Sequence, residues 1–306
     1  MSLSIIVPAF NEAEGISHFL AELKSVLGST SEQYEVLIVN DGSTDETSDE
    51  IKKFSWPQVR EIQLITNSGH MAALEAGLSA STGDYVITMD ADSQHPPTLI
   101  LEMLNIQKST GADVVNAVRI RGKENSFLRR KLSAVFYKLL SKITQVKIER
   151  DAGDFRLMSR RVVDTLMSLP ETTKVFRFLV SSLGFHSEIL HFKAPERLYG
   201  KSKYRITNLM QLAVGSIVGF STAPLSGIFI SGLVIFLSAL VYIIYLIINI
   251  NAGRVVPGWT SVMVALIGFA AIQIISIGII GRYVGQILIE LRKRPRYMVR
   301  NNNDSN

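Results

Sequence analysis

Two carboxylates two residues apart, Asp90 and Asp92, stand where an apolar run ends. The run, Asp84 to Met89, is rich in β-formers and follows the turn signal Thr82-Gly83. Behind the pair come Ser93, Gln94 and His95-Pro96-Pro97, whose prolines forbid further ladder pairing. Alternate residues of an extended segment point the same way, so both acids can face one cleft. Hard oxygen ligands of this kind suit Mg2+ or Mn2+, which enter sites on a few carboxylates plus substrate phosphates. A lone Asp-x-Asp reads more readily as a solvated acidic turn; here the surroundings favour the metal.

Those surroundings are further polar groups at the ends of other apolar runs. Pro8-Ala9-Phe10-Asn11-Glu12 follows the first and Asn40-Asp41-Gly42-Ser43 the second. A basic stretch, Arg119, Arg121, Lys123, Arg129, Arg130 and Lys131, follows the fifth and can overhang the same cleft as an anion site. Asp151-Ala152-Gly153-Asp154-Phe155-Arg156 forms another polar knot, where glycine would permit close approach of the backbone. Arg197 to Tyr204 presents three cations and two tyrosines, chemistry that equally serves anchoring at a membrane interface. Neither Gly-x-Gly-x-x-Gly nor the phosphate-loop pattern Gly-x-x-x-x-Gly-Lys occurs, which argues against a dinucleotide oxidoreductase or a P-loop NTPase.

The elements that must position these groups alternate between strand and helix. Strands are expected over Leu3 to Val7, Glu35 to Val39, Glu61 to Ile65, Tyr85 to Met89 and Asp113 to Val118. Helices are expected over Glu14 to Leu27, Thr44 to Lys53, Met71 to Ser79 and Thr98 to Lys108, the second introduced by the capping pattern Ser43-x-x-Glu46. This rhythm predicts an α/β fold with a mainly parallel, doubly wound sheet, whose ligands sit at the carboxyl ends of the strands.

Charge is unevenly spread along the 306 residues. Ile206 to Gly253 and Val255 to Gly281 contain no Asp, Glu, Lys or Arg. Leu225 to Ile248 and Thr260 to Ile280 are each long enough to cross a hydrocarbon core of about 30 Å at about 1.5 Å per residue. Cations flank both runs while the loop between them carries only Arg254, so the positive-inside rule places the soluble domain and both termini in the cytoplasm. The expected division is a soluble α/β domain over 1–205, an interfacial amphipathic helix over 206–224, a two-helix transmembrane domain over 225–282 and a basic tail over 283–306. The flanking cations account for the net charge of +5 without a nucleic-acid partner. Cysteine is absent, which excludes disulfides and thiolate metal sites; the five histidines lack metal-ligand spacing, and no cleavable leader is expected.

With these residues in view, the chain resembles the family 2 glycosyltransferases of GT-A fold, and more narrowly the polyprenyl-phosphate glycosyltransferases. The resemblance rests on Val7 to Glu12, Val39 to Ser43 with Asp45, Met89 to Asp92 with Gln94 to Pro97, and Gly153 to Leu157. It continues through Gly200 to Tyr204, Gly281 to Gly285 and Arg294-Pro295-x-Tyr297. One departure is Met71 after Gly69-His70, where the bactoprenol glucosyltransferase branch often has an amide.

The resemblance implies inverting transfer of a hexose, glucose first, from a UDP-sugar to a polyprenyl phosphate at the cytoplasmic face of the cell membrane. It implies that Pro8, Asn11, Glu12, Asp41 and Asp90 hold the nucleotide sugar, and that Asp90, Asp92 and Gln94 hold the metal. Arg119, Arg130, Ser133, Arg197 and Lys203 would meet the diphosphate or the lipid phosphate. Asp154 is the candidate catalytic residue, as a base or as an orienting group, since a phosphate monoester is already partly dianionic near neutrality with a second pKa of about 6. It also implies a homo-oligomer, a tetramer. A GDP-mannose-dependent mannosyltransferase is the nearest rival, and the residues leave uracil against guanine open. A processive polysaccharide synthase would carry Gln-x-x-Arg-Trp, which neither Trp56 nor Trp259 supplies. A silent nucleotide-binding scaffold would not need the whole set Asp41, Asp90, Asp92, Gln94 and Asp154.

Overall fold

The computed structural model describes residues 2–92, 94–120, 152–172, 174–193, 223–251 and 258–300. The chain divides into two units, one of residues 1–141, 146–203 and 294–306, the other of 142–145 and 204–293.

The first unit runs β1 (Ser2–Ala9), α1 (Ile16–Leu27), β2 (Gln33–Asn40), α2 (Thr47–Lys53), β3 (Val59–Gln63), α3 (His70–Ala80), β4 (Tyr85–Thr88), α4 (Leu99–Thr110) and β5 (Val114–Arg119). It continues with β6 (Ala152–Ser159), α5 (Arg160–Ser168), α6 (Phe176–Ser182) and β7 (Ser187–Phe192). The strands form one sheet in the order β3-β2-β1-β4-β6-β5-β7. All neighbours are parallel except β6, which is antiparallel to both β4 and β5. The expected mainly parallel α/β sheet is therefore present.

Burial explains why the strands are readable in the sequence. Ile5, Ile6 and Val7 of β1 and Val36 to Val39 of β2 are fully buried, covered on both faces as parallel strands are. Helix α1 buries Ile16, Phe19, Leu20, Leu23 and Leu27, one apolar stripe of helical period. The antiparallel β6 runs back across the sheet, so its first residues lie beside the carboxyl end of β4; Thr88 pairs in register with Arg156.

Two local expectations need correction. Helix α2 starts at Thr47 rather than Thr44, and no side chain caps it. The Ser43 hydroxyl instead accepts the Asn11 N–H at 3.0 Å, and the Thr44 N–H goes to Asn11 Oδ1 at 2.9 Å. A residue engaged by a neighbouring loop is not available as a cap. Strand β3 spans Val59–Gln63, earlier than expected, and Leu64 instead pairs with Val299 in a single antiparallel bridge.

That bridge belongs to a strap over the sheet's edge. Ile65 N–H donates to Met298 O at 2.9 Å, and Arg300 N–H donates to Gln63 O at 2.8 Å. The strap covers hydrogen-bonding groups that an edge strand would otherwise leave open. Its Arg296 lies 3.8 Å from Glu75 of α3, which also receives Lys174 at 3.1 Å.

The second unit contains α7 (Ala223–Asn251) and α8 (Trp259–Arg292), which contact each other. Mean hydropathy is 2.2 over Leu225–Tyr242 and 1.6 over Gly268–Arg292, and neither window is buried in the fold. Phe229 and Ile274 are more than two-thirds exposed, whereas a soluble core helix would hide such residues. Both helices are long and apolar enough to cross a membrane. Helix α8 continues to Arg292, beyond the expected end of its apolar run. The expected interfacial helix over 206–224 lies almost wholly outside the described residues.

Candidate active site

The loops after β1, β2 and β4 meet at the carboxyl ends of their strands. The first two are fastened together by backbone donors: Glu12 N–H to Thr47 Oγ1 at 2.9 Å, Ala13 N–H to Asp45 Oδ2 at 3.2 Å, and Asp41 N–H to Ala9 O at 2.9 Å. Asn11 holds a left-handed φ of 54°, a conformation that asparagine tolerates better than most residues. Gly42 has φ +66°, and a Cβ there would stand 2.5 Å from the Thr66 carbonyl carbon. Only glycine fits that turn.

Asp41 is 3% exposed and uses both oxygens on one turn: Oδ1 accepts the Ser68 N–H at 2.7 Å and Oδ2 the Gly69 N–H at 2.9 Å. Burial raises its pKa, against the opposing effect of these donors. The turn it holds launches α3 at His70. Asp41 therefore carries a structural duty besides the nucleotide contact expected of it.

Beyond β4 the expected alternation is present. Met89 and Ala91 are buried, while Asp90 and Asp92 are partly exposed. Asp92 Oδ1 accepts the Gln94 N–H at 3.1 Å, and Gln94 Oε1 accepts from Arg119 Nη1 at 3.4 Å. His95 stacks on Phe155 at 4.8 Å between centroids, and its Nδ1 accepts the Asp90 N–H at 2.9 Å. That nitrogen consequently carries no proton, so the 3.7 Å approach of Asp90 Oδ2 to it is not an ion pair. Among the described residues no three His, Cys, Asp or Glu side chains are grouped to hold a metal ion.

Asp154, on β6, accepts the Thr88 hydroxyl at its carbonyl oxygen, which ties it to β4. Three cationic or titratable groups surround its carboxylate: His70 Nε2 at 3.3 Å, Arg156 Nη2 at 3.5 Å and Arg177 Nη2 at 3.7 Å. Burial opposes the charge, but the hydrogen bond from His70 and the charges of Arg156, Arg177 and His70 prevail. They hold the carboxyl well below the usual carboxylate range. His70 lies also 3.9 Å from Asp90 Oδ1. Its own pKa is lowered by burial, but the Asp154 hydrogen bond and the two acids outweigh that, for a net rise.

The structure thus brings together Asn11, Glu12 and Asp41 with their loops, and separately Asp90, Asp92, Gln94 and Arg119. Asp154 joins the second group through His70. Pro8 lies within β1, in register with Val39. Arg130, Ser133, Arg197 and Lys203 lie outside the described residues. Among the described residues, a Cβ at Gly153 would meet Phe155 N at 3.8 Å and His95 Nε2 at 3.9 Å, ordinary contacts. His70 and Arg177 are site residues that the sequence alone does not single out. His70 has a signal in the preceding Gly69, whose φ of +91° marks the turn; Arg177 has none, since only the packing of α6 brings it in.

The model of the family described as Glycosyl transferase family 2 matches residues 4–167. The prophage bactoprenol glucosyl transferase homolog of Escherichia coli is 36% identical over 98% of this chain and 99% of its own length. The bactoprenol glucosyl transferase of Shigella phage SfX is 36% identical over the same shares. A crystal structure of glucosyl-3-phosphoglycerate synthase from Mycobacterium tuberculosis, in complex with Mn2+, uridine diphosphate and phosphoglyceric acid, superposes with a TM-score of 0.51. It covers 71% of this chain and 76% of the other at 19% identity, a likeness of fold.

Proposed function

The chain belongs to glycosyl transferase family 2, and we propose that it transfers a hexose, glucose first, from a UDP-sugar to a polyprenyl phosphate at the cytoplasmic face of the membrane. The observation that carries this reading is the 36% identity to bactoprenol glucosyl transferases over 98% of the chain, membrane-type helices included. The strap at 298–300 supports the topology. A chain that leaves the catalytic unit for two apolar helices and then pairs with that unit's edge strand returns to the side from which it left.

The order of groups along the sheet suits the reaction. The nucleoside would lie over β1 and β2, against Asn11, Glu12 and Asp41, and the diphosphate over the end of β4. Asp90, Asp92 and Gln94 are hard oxygen donors, too few to enclose a cation alone, and so fit Mg2+ or Mn2+ that completes its shell from the diphosphate. Bound there, the metal supplies Lewis-acid stabilisation of the departing nucleoside diphosphate. Arg119, hydrogen-bonded to Gln94, adds positive charge on the same flank.

The acceptor's phosphate oxygen attacks the anomeric carbon from the face opposite the leaving group. The new carbon–oxygen bond forms as the bond to the nucleoside diphosphate breaks, and the configuration inverts. Near pH 7 the acceptor is already largely dianionic, its second pKa being about 6. A carboxyl held as low as that of Asp154 is a poor proton acceptor, so its part here is orientation.

The testing experiment is a donor panel of UDP-glucose, UDP-galactose, UDP-N-acetylglucosamine and GDP-mannose against a short polyprenyl phosphate, with Mg2+ and with Mn2+. Lipid-linked product from UDP-glucose supports the reading. Product from GDP-mannose alone replaces the donor.

A further inference from the structure

Resting on that reading, we propose that the C-terminal strap is a positioning element of the donor site. Through Arg296 and Arg300 it holds the turn between β3 and α3 in the form that takes the nucleotide. The motif Arg294-Pro295-x-Tyr297 has no part in the transfer chemistry. Its place in the fold supplies one.

The turn, Thr66 to Gly69, is a wall of the site. Its Ser68 and Gly69 N–H groups are the donors that hold Asp41, at 2.7 and 2.9 Å. Gly42 lies against the backbone of Thr66 and Asn67. His70, next in the chain, reaches Asp154 at 3.3 Å. The strap belongs to the same unit as the sheet and grips this connection at both ends. Before the turn, Ile65 N–H donates to Met298 O at 2.9 Å and Arg300 N–H to Gln63 O at 2.8 Å. After it, on α3, Glu75 lies 3.8 Å from Arg296, and the Ser79 side chain hydrogen-bonds that of Tyr297. The gripping segment follows α8 directly, with Lys293 closing that helix at φ 47°.

The grip is of a strength that governs binding rather than folding. Strand β3 is held by β2 from Val59 to Gln63 without the strap's help. Glu75 Oε2 and Arg296 Nη1 are buried yet make no hydrogen bond among the described residues, so their ion pair is a long one. Releasing the strap thus leaves β3 in the sheet and frees the turn. A ligand that binds one form of the turn has its apparent Kd raised by the reciprocal of that form's population. One net hydrogen bond corresponds to roughly 2- to 10-fold in such an equilibrium. The coupling is reciprocal, so bound nucleotide must also tighten the strap.

The test uses the full chain in detergent with Mn2+. Wild type is compared with Arg300→Pro, which removes the N–H donor, with Arg300→Ala, which keeps it, and with Arg296→Met. UDP affinity is measured by titration calorimetry, donor and acceptor KM and kcat by initial rates, and amide exchange over 296–300 in wild type with and without UDP. Arg300→Pro and Arg296→Met are expected to raise the UDP Kd and donor KM at least threefold, with acceptor KM and kcat within twofold of wild type. Arg300→Ala should bind UDP within twofold of wild type, and UDP should slow exchange in the strap at least twofold. A rise below threefold in Arg300→Pro overturns the proposal. So does an equal loss in Arg300→Ala, or a parallel rise in acceptor KM. If Arg300→Pro does not fold, Arg296→Met decides by the same threshold; if neither folds, strap exchange unaffected by UDP overturns the proposal. A wild type that binds no UDP overturns the underlying reading and the strap's role with it, whereas the other failures leave that reading standing.

Discussion

Replacing Asp154 by asparagine separates the structural duty of its carboxylate from its part in turnover. The change keeps side-chain volume and one acceptor oxygen but leaves Arg156, 2% exposed, without the carboxylate that offsets it at 3.5 Å. Removing one partner from a buried pair costs about 3–5 kcal/mol. The pair here is longer than ideal, and Gly153 O still receives the guanidinium at 2.8 Å, which argues for a cost at or below the bottom of that range, about 2–3 kcal/mol. For a unit of this size each kcal/mol moves the melting temperature by roughly 2–4 °C, so the expected fall is roughly 5–10 °C. Melting in detergent, with and without UDP, reads it. Below the new melting temperature turnover should drop at least tenfold with UDP protection retained. A melting temperature within 1 °C of wild type would refute the ion-pair reasoning, and unchanged turnover would remove Asp154 from the mechanism.

The same carboxyl predicts a pH dependence. Its folded pKa is depressed, so its contribution is complete above the ordinary Asp value of about 4 and is lost as pH falls through the folded pKa. Wild-type melting temperature should therefore fall more steeply below about pH 4 than that of Asp154→Asn, and parallel acid limbs would contradict this. Gly42→Ala should cost about 2 kcal/mol or more, because φ is +66° and the new Cβ meets the Thr66 backbone at 2.5 Å; chemical denaturation measures it. Glu75→Gln leaves Lys174, itself 6% exposed, without its carboxylate and should lower the melting temperature by several degrees. Chelation with EDTA should abolish turnover and added Mg2+ or Mn2+ restore it, as followed by UDP release.

The strands are legible in the sequence because parallel strands buried on both faces need unbroken apolar runs, and Ile5 to Val7 and Val36 to Val39 supply them. The acidic pair is legible for a related reason: pleated alternation buries Met89 and Ala91 and leaves Asp90 and Asp92 toward the cleft. What escapes depends on partners distant in the chain. Ser43 has the pattern of a cap, but Asn11, 32 positions away, takes its hydroxyl. The tail has the composition of a solvated basic stretch, yet Arg300 and Met298 pair with the edge at Gln63 and Ile65. Arg177 resembles any surface arginine in sequence, and only the packing of α6 against β6 makes it a neighbour of Asp154.

Transfer of a sugar onto a lipid phosphate by the site at the end of β4 can be measured directly. The full chain is incubated with UDP-glucose labelled in the sugar, Mg2+ or Mn2+ and a polyprenyl phosphate, beside Asp92→Ala, and label extracted into organic solvent is counted. Wild type should give acceptor-dependent, organic-extractable label, and Asp92→Ala at least a hundredfold less. Release of UDP with no label in the lipid, or label from Asp92→Ala equal to wild type, would contradict the proposed transfer.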